Sequence, residues 1–302
     1  MNARDETELT TDRDARRAPP RPRTLLICHE GAELDRVGLA RWLASFSDLR
    51  GVVVLKEKNE RARQRVRREL KRVGLARFPD VLAFRLYYKL LLAAADRAWE
   101  RGELERLRRL YEDAGDVPTL VTHSPNAPES EEFIRRSGAD IVVARCKTLL
   151  KESVFSIPST GTFVMHPGVC PEYRNAHGCF WALASGDAER VGMTLLKIDR
   201  GVDTGPVYGY YTYDFDERTE SHVRIQHRVV LENLDRLRDK LLDIHAGRAL
   251  PLDTRGRRSA TWGQPWLTSY LRWKRRARRG AKGKADGAMN VAAERARGRE
   301  AR

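Results

Sequence analysis

The sequence predicts an α/β fold with an open, mostly parallel sheet, and two observations lead to that prediction. Short apolar runs at Thr24–Cys28 and Gly51–Leu55 are separated by an amphipathic stretch, Ala32–Leu43, which is the spacing of a strand-helix-strand unit. Further apolar runs at residues 118–121 and 141–144 continue the alternation, with a helical pattern between them. We therefore expect a sheet with helices on its faces.

A basic segment, Lys56–Ala114, separates the second strand from the third. It is apolar at helical spacing around Val81, Phe84 and Leu90, which predicts two or three helices inserted after the second strand. We interpret the insert as a helical subdomain packed on the sheet. A role at a nucleic acid or at a membrane surface is the alternative, because Arg-rich helices with exposed apolar faces suit both.

The rest of the chain continues the α/β pattern. We expect a strand at Gly161–Met165 that ends at His166, and an edge strand at Val207–Tyr213 that runs antiparallel to its neighbour. The other predicted elements are helices at Ser130–Ser137 and Leu149–Phe155, a strand at Met193–Ile198, a long helix within Glu217–His245 and a helix that starts near Pro265. A sheet edge at His166 is where open α/β sheets bind ligands.

Composition sets the expected domain limits and location. The net charge is +15 with a pI near 10.0, which favours anionic partners, although the basic C-terminal residues contribute much of the charge. We expect a disordered polar tail at 1–22, a main domain at 23–250 and a basic, partly disordered extension at 251–302. Four cysteines without CxxC spacing, no apolar signal segment and no span-length apolar run predict a cytoplasmic protein.

The sequence does not identify a binding partner for the basic C-terminal tail. A nucleic acid or an anionic membrane surface is possible there, and the absence of a partner is the favoured interpretation. The sequence gives no indication of the oligomeric state.

One stretch, Thr162–Val207, concentrates the residues of a chemical site. It holds His166 in a His-Pro-Gly turn, His177 eleven residues later and Asp203 in an Asp-Thr-Gly turn. A histidine with a carboxylate is the minimal equipment for proton transfer, because the carboxylate orients the imidazole. The sequence contains no GxSxG pattern, so a covalent hydrolase is not indicated. We predict no metal, and a His₂-carboxylate metal site is the remaining alternative.

The same stretch resembles the folate-dependent formyltransferases. The segments HPGVCPEYRN, FWALASGD and GMTLLKIDRGVDTGPV are similar to that family's pattern in order and spacing across about forty-five residues. The resemblance implies a Rossmann-like sheet and an enzyme that uses 10-formyltetrahydrofolate to formylate an amine. It implies that His166 and Asp203 are catalytic and that His177 matches a further histidine of the glycinamide branch. Substrate contacts are expected from Gly168, Tyr173, Arg174 and Gly205.

The sequence departs from the family pattern at Val164, which stands where the family has its catalytic Asn. Valine donates no hydrogen bond, and losing one oxyanion donor typically costs about 10²–10³ in kcat. Thr162 shares a strand face with Val164 and His166 by the two-residue period, and Asn175 stands where the family has Gly. We therefore predict that Thr162 or Asn175 supplies the missing donor.

Three functions are compatible with these observations. The first is formyl transfer to a small or nucleotide-linked amine; the second is a catalytically impaired protein that binds folate or a partner; the third is hydrolysis of the formyl donor. A tRNA acceptor would suit the charge, but the residues after Pro251 lack the strand pattern of the barrel domain found in that branch. We therefore expect a small-molecule amine.

Overall fold

A computed structural model describes residues 21–57, 67, 70–71 and 73–279. Most of the expected N-terminal tail, the start of the helical insert and residues 280–302 lie outside the described residues. The expected domain limits at 22 and 250 stay predictions.

Nine strands form within the described ranges. They are β1 (Arg23–His29), β2 (Asp48–Leu55), β3 (Thr119–Thr122), β4 (Ile141–Arg145), β5 (Gly161–His166), β6 (Arg174–Asn175), β7 (Met193–Lys197), β8 (Val207–Tyr211) and β9 (Thr261–Trp262). Seven of them make one sheet in the order β3-β2-β1-β4-β5-β7-β8, and β6 pairs with β9 in a small second sheet. The β3-to-β5 side is parallel, whereas β7 and β8 are antiparallel. The sheet is therefore the predicted Rossmann-like, mostly parallel type.

The helices of the described residues flank this sheet. They are α1 (Ala40–Phe46, preceded by a π-helical turn Leu34–Leu39), α2 (Phe78–Tyr87), α3 (Ala93–Leu110), α4 (Pro128–Ser137), α5 (Glu152–Phe155), α6 (Gly178–Ser185), α7 (His222–Leu231), α8 (Leu234–His245) and α9 (267–279). A π-helical turn, Tyr88–Leu92, joins α2 to α3. These two helices lie between β2 and β3, as predicted for the insert.

Strand alternation divides the core between the two faces of the sheet. In β1, Leu26 packs in a large cluster with helices of one face, while Leu25 and Ile27 pack in a second cluster on the other face with Ile134 of α4. Side chains one residue apart in a strand point to opposite faces, so both faces of a central strand are apolar and buried.

The long helix predicted within Glu217–His245 is wrong, because the structure has two helices there. The break falls at Asn233, whose Nδ2 donates to the carbonyl oxygens of Val229 and Thr212, both at 3.0 Å. The side-chain amide binds the Val229 carbonyl, which the backbone N–H of Asn233 would bind in a continuous helix, and it ties the break to Thr212 outside the helix.

Two predicted helix starts are also wrong. Helix α4 begins at Pro128 rather than at Ser130, because proline is favoured at the first helical position; Ser130 Oγ donates to the carbonyl of Ser124 instead of capping. Helix α5 begins at Glu152 rather than at Leu149, because Asn126 binds the Leu149 carbonyl and the Lys151 N–H in a loop conformation.

The segment after residue 250 packs against the sheet domain. Leu252 N–H donates to the carbonyl of Val207 at 2.7 Å, β9 pairs with β6, and Trp273 of α9 is fully buried in the main cluster. The helix predicted near Pro265 is present as α9. Across the described ranges, no helix has both the length and the apolarity that crossing a membrane requires.

Candidate active site at the carboxyl end of strand β5

His166 is the last residue of β5, and its imidazole is buried. Its Nε2 lies 2.8 Å from the carbonyl oxygen of Tyr173. A carbonyl oxygen can only accept, so Nε2 carries a proton and Nδ1 is the nitrogen left for chemistry in the neutral ring. The Tyr173 carbonyl therefore fixes both the tautomer and the orientation of His166.

Asp203 faces that second nitrogen. His166 Nδ1 lies 3.5 Å from Asp203 Oδ2, and Asp203 has a left-handed backbone with φ of 51°. The backbone N–H of Asn175 donates to the same carboxylate oxygen at 2.7 Å. When Nδ1 takes up a proton, the imidazolium has an acceptor at each nitrogen, so the arrangement suits a general base. The structure thus brings together the two residues predicted to transfer protons.

Two of the expected substrate-binding glycines are required by backbone packing. A Cβ at Gly168 would lie 2.5 Å from the Tyr173 carbonyl oxygen and 2.8 Å from His166 Nε2. A Cβ at Gly205 would lie 1.9 Å from the carbonyl oxygen of Lys197. These contacts lie within the chain, and the expected contact of either glycine with substrate stays a prediction.

Tyr173 and Arg174 hold the two loops of the site together. The Tyr173 hydroxyl donates to Asp187 at 2.9 Å, and Arg174 Nη1 donates to the carbonyl of Val202 beside Asp203 at 2.9 Å. Arg174 Nε is buried and has no acceptor among the described residues. Its hydrogen-bonding capacity is therefore unused among the described residues.

His177 stands at the N-cap position of α6 with a left-handed backbone, φ 57°. Its ring centroid lies 6.1 Å from that of His222, which is buried. Burial lowers the pKa of His222 well below its ordinary value, with His177 as the next cause. His177 therefore lies next to a neutral aromatic group, and its expected catalytic role stays a prediction.

Val164, which stands where the resemblance implies a catalytic Asn, has an apolar environment. It packs against a small cluster of Cys170, Leu196 and Val207. Thr162 is buried farther back on β5, about 13 Å from His166 at the usual strand rise, and its hydroxyl donates to the carbonyl of Phe155 at 2.9 Å. The structure does not bring Thr162 to the His166 end of the strand.

Asn175 does lie beside His166 and Asp203, but its side chain is already bound. Its Nδ2 donates to the carbonyl of Trp262 at 2.6 Å, and its backbone is left-handed with φ of 76°. The contact that Asn175 makes with Asp203 therefore comes from its main-chain N–H and not from its amide.

Trp262 is a site residue that the sequence did not indicate. Its ring stacks on Tyr173 at 5.7 Å and on Trp181 at 4.9 Å between centroids, and its carbonyl binds Asn175. Trp262 is 87 residues from Asn175. The WGQPW stretch marks an aromatic segment, but no local signal indicates which loop it covers.

Thiol and metal chemistry are not supported at this site. Burial raises the pKa of the Cys179 thiol to about 12 and also raises that of Cys170, so neither is a thiolate at neutral pH. Among the described residues, no group of three or more His, Cys, Asp or Glu side chains could hold a metal ion. The His₂-carboxylate alternative therefore lacks a ligand set in the described part of the chain.

Known proteins match the segment of the chain that contains His166 and Asp203. Residues 116–239 match the family described as formyl transferase. The chain is 40% identical over 92 residues to methionyl-tRNA formyltransferase of Thermotoga sp. (strain RQ2), covering 30% of this chain and 29% of that protein. It is 31% identical over 130 residues to the Thermotoga maritima protein of the same name, covering 41% of each. The chain thus spans less than half the length of these curated relatives.

Solved structures similar to this chain include phosphoribosylglycinamide formyltransferase from Anaplasma phagocytophilum, at 14% identity and a TM-score of 0.49, covering 81% of this chain and 100% of that chain. A sugar N-formyltransferase from Shewanella sp. is 13% identical with a TM-score of 0.47, covering 83% and 87%. The sequence matches place His166 and Asp203 within the matched segment. Residues 116–239 of this chain are therefore similar to the formyl transferase family.

Proposed function

We propose that this chain transfers a formyl group from 10-formyltetrahydrofolate to the amino group of a small or nucleotide-linked acceptor. The observation that carries the proposal is the His166–Asp203 pair, with 3.5 Å between Nδ1 and Oδ2, inside the segment that matches the family. The family match supports the reaction class, and the acceptor class is the part that belongs to this proposal alone.

His166 and Asp203 supply the proton transfers that the reaction needs. Attack of the acceptor amine on the formyl carbon forms a C–N bond and leaves an extra proton on that nitrogen. His166 Nδ1 accepts this proton, and the Asp203 carboxylate stabilises the imidazolium. When the bond from the formyl carbon to the folate nitrogen breaks, the same proton passes to that nitrogen, so the histidine returns to its neutral form.

The residues around the Asp203 turn fit a polar ligand such as the pterin of a folate. Arg174 Nε is buried without an acceptor among the described residues. Nη1 of the same side chain donates to the Val202 carbonyl in the Asp203 turn. An unpaired buried donor costs about 1–3 kcal/mol. A ligand oxygen that accepts from Arg174 would recover that free energy on binding.

Val164 makes the proposed reaction slower than in an enzyme with an amide at this position. The formyl oxygen becomes an oxyanion during attack, and a missing donor costs about 10²–10³ in kcat. A protonated His166 places a positive charge at the end of β5. We therefore expect a modest turnover that depends strongly on the proton-transfer pair.

Two observations support the choice of a small acceptor. Within the described residues 251–279 there are a two-residue strand, β9, and one helix, α9. The relatives named methionyl-tRNA formyltransferase are matched over less than half their length, so their acceptor is not carried over. A small amine remains the acceptor class that we propose.

Two measurements on the full chain test the proposal. Calorimetry with a non-reactive folate analogue reports donor binding, and mass spectrometry of a panel of amines, including amino sugars linked to nucleotides, reports formylation. Formylated amine together with analogue binding is the expected result. Binding without turnover identifies an impaired folate-binding protein, and donor cleavage without amine identifies a hydrolase. Absence of heat at high micromolar analogue rejects both formyl transfer and hydrolysis of the formyl donor.

A further inference from the structure

The outer face of the helical insert carries a row of exposed leucines. Leu82, Leu86, Leu90 and Leu91 are 54%, 57%, 68% and 63% exposed, and we call these four residues the leucine ridge. Residues four apart in a helix lie on one face. Inward-facing Val81 of the same helix is 1% exposed, so the helix is apolar on both its buried and its outer side.

A strongly cationic helix lies beside the ridge. Helix α9 carries six basic residues and no acidic one, namely Arg272, Lys274, Arg275, Arg276, Arg278 and Arg279. Arg275, Arg278 and Arg279 make no ion pair or side-chain hydrogen bond with any described residue. They are therefore positive charges that the described part of the chain leaves uncompensated.

Direct contacts join helix α9 to the insert. The backbone N–H of Thr268 donates to the Asp80 carboxylate at 3.0 Å, the guanidinium of Arg77 lies 3.9 Å from the centroid of the Trp266 ring, and the rings of Tyr87 and Tyr270 are 5.5 Å apart. Because these contacts fix α2 and α9 to each other, the leucine ridge and the cationic helix keep a constant relative position.

A cavity of about 790 Å³ opens where the insert, the start of α7 and helix α9 meet. It does not include His166 or Asp203. Its cationic lining is Arg218, Arg224, Lys274, Arg275, Arg278 and Arg279, against the two acids Asp96 and Glu220. Lys274 is committed to carbonyl oxygens of Glu217 and Glu220, whereas the arginines at the end of α9 are available to a bound anion.

We propose that the leucine ridge and helix α9 dock the protein onto an anionic phospholipid bilayer, with a lipid phosphate in the cavity. Charge complementarity selects the occupant, because a cationic helix beside exposed aliphatic side chains matches the headgroup region and the upper acyl chains of such a bilayer. RNA is disfavoured because its bases stack on aromatic rings, and Tyr87 and Tyr270 pack against each other. This surface is independent of the proposed formyl transfer.

Flotation of the full chain with vesicles tests the proposal. We expect binding to vesicles of equimolar phosphatidylcholine and phosphatidylglycerol, and not to phosphatidylcholine alone. The double variant Leu86→Glu/Leu90→Glu should weaken binding on the order of tenfold, because it places charge in the apolar layer. Arg278→Ala/Arg279→Ala should weaken it about fivefold for each charge removed.

Matched controls separate this surface from general charge and from the rest of the chain. Leu250→Glu changes an exposed leucine that follows α8, and Arg109→Ala removes an exposed arginine about 20 Å along α3 from the cavity residue Asp96. Both should bind vesicles like the unaltered chain. Circular dichroism melts show that each variant is folded.

Equal vesicle binding by the unaltered chain and both double variants would overturn the proposal. So would weak vesicle binding combined with tight binding of a labelled single-stranded RNA that Arg278→Ala/Arg279→Ala abolishes. Loss of vesicle binding in both double variants, with both controls unaffected, supports it.

Discussion

His166 and Val164 lie two residues apart on the same face of strand β5, and their surroundings differ completely. His166 ends the strand against the Tyr173 carbonyl and the Asp203 carboxylate. Val164 packs earlier on the strand against Cys170, Leu196 and Val207. The comparison shows that a polar site can be limited to the last residue of a strand. The two residues proposed to transfer protons lie together, while the position proposed for an oxyanion donor is packed against apolar side chains.

The first prediction tests the pairing of His166 with Asp203 and has the largest expected effect on the reaction rate. Asp203→Asn should lower the rate of formyl transfer about 10²–10⁴-fold, because the neutral amide cannot stabilise the imidazolium of His166. Single-turnover kinetics with the formyl donor measures the rate, and calorimetry with the folate analogue checks that binding persists.

Asp199→Asn is the control for that variant. Asp199 accepts hydrogen bonds from Gly201 N–H and Thr204 Oγ1 in the same turn, but no hydrogen bond or ion pair joins it to His166. Its variant should keep most of the rate. If the two substitutions reduce the rate equally, Asp203 only shapes the turn.

The second prediction tests the apolar position at Val164. Val164→Asn should raise turnover by about 10²-fold, because it returns a hydrogen-bond donor to the oxyanion position. The amide replaces packed methyl groups, so the free energy of unfolding should fall by about 1–3 kcal/mol, which a denaturant titration measures. Val164→Ala, which opens space without a donor, should not raise turnover. An unchanged rate in Val164→Asn would show that this position does not limit the reaction.

The third prediction concerns the side chain of Asn175, whose backbone N–H binds Asp203. Asn175→Gly keeps the left-handed backbone and the N–H that binds Asp203, and it removes only the amide that binds Trp262. Turnover should fall less than about tenfold, because the replaced bond positions a loop and carries a typical net value of about 1 kcal/mol. A loss near 10³-fold would instead identify the Asn175 side chain as the oxyanion donor.

The smallest effect on turnover is expected for Thr162→Val. The Thr162 hydroxyl binds the Phe155 carbonyl far from His166, so the rate should not change. The buried carbonyl loses its partner, and the melting temperature should fall, with a free-energy cost of about 1–3 kcal/mol. A lower rate with an unchanged melting temperature would instead indicate that the Thr162 hydroxyl takes part in the reaction.

Sequence patterns were sufficient where the structural cause is local. The apolar runs at Leu25–Ile27 and Val52–Leu55 predict β1 and β2 because a strand buried on both faces is apolar at every position. The predicted helix in Glu217–His245 failed at Asn233, since the side chain that breaks it binds a carbonyl of Thr212 on a different element. Apolar periodicity continues through such a break and cannot reveal it.

For the candidate site, the sequence predicted the chemistry, and the tertiary structure decided the hydrogen-bond partners. The sequence alone brought out His166, Asp203 and the substitution at Val164, because their spacing is part of a compact motif. Only the fold shows that Thr162 is turned to Phe155 and that the Asn175 side chain is held by Trp262, 87 residues away. Which hydrogen bonds a side chain makes depends on elements that pack beside it, and their distance along the chain leaves no mark in the local pattern.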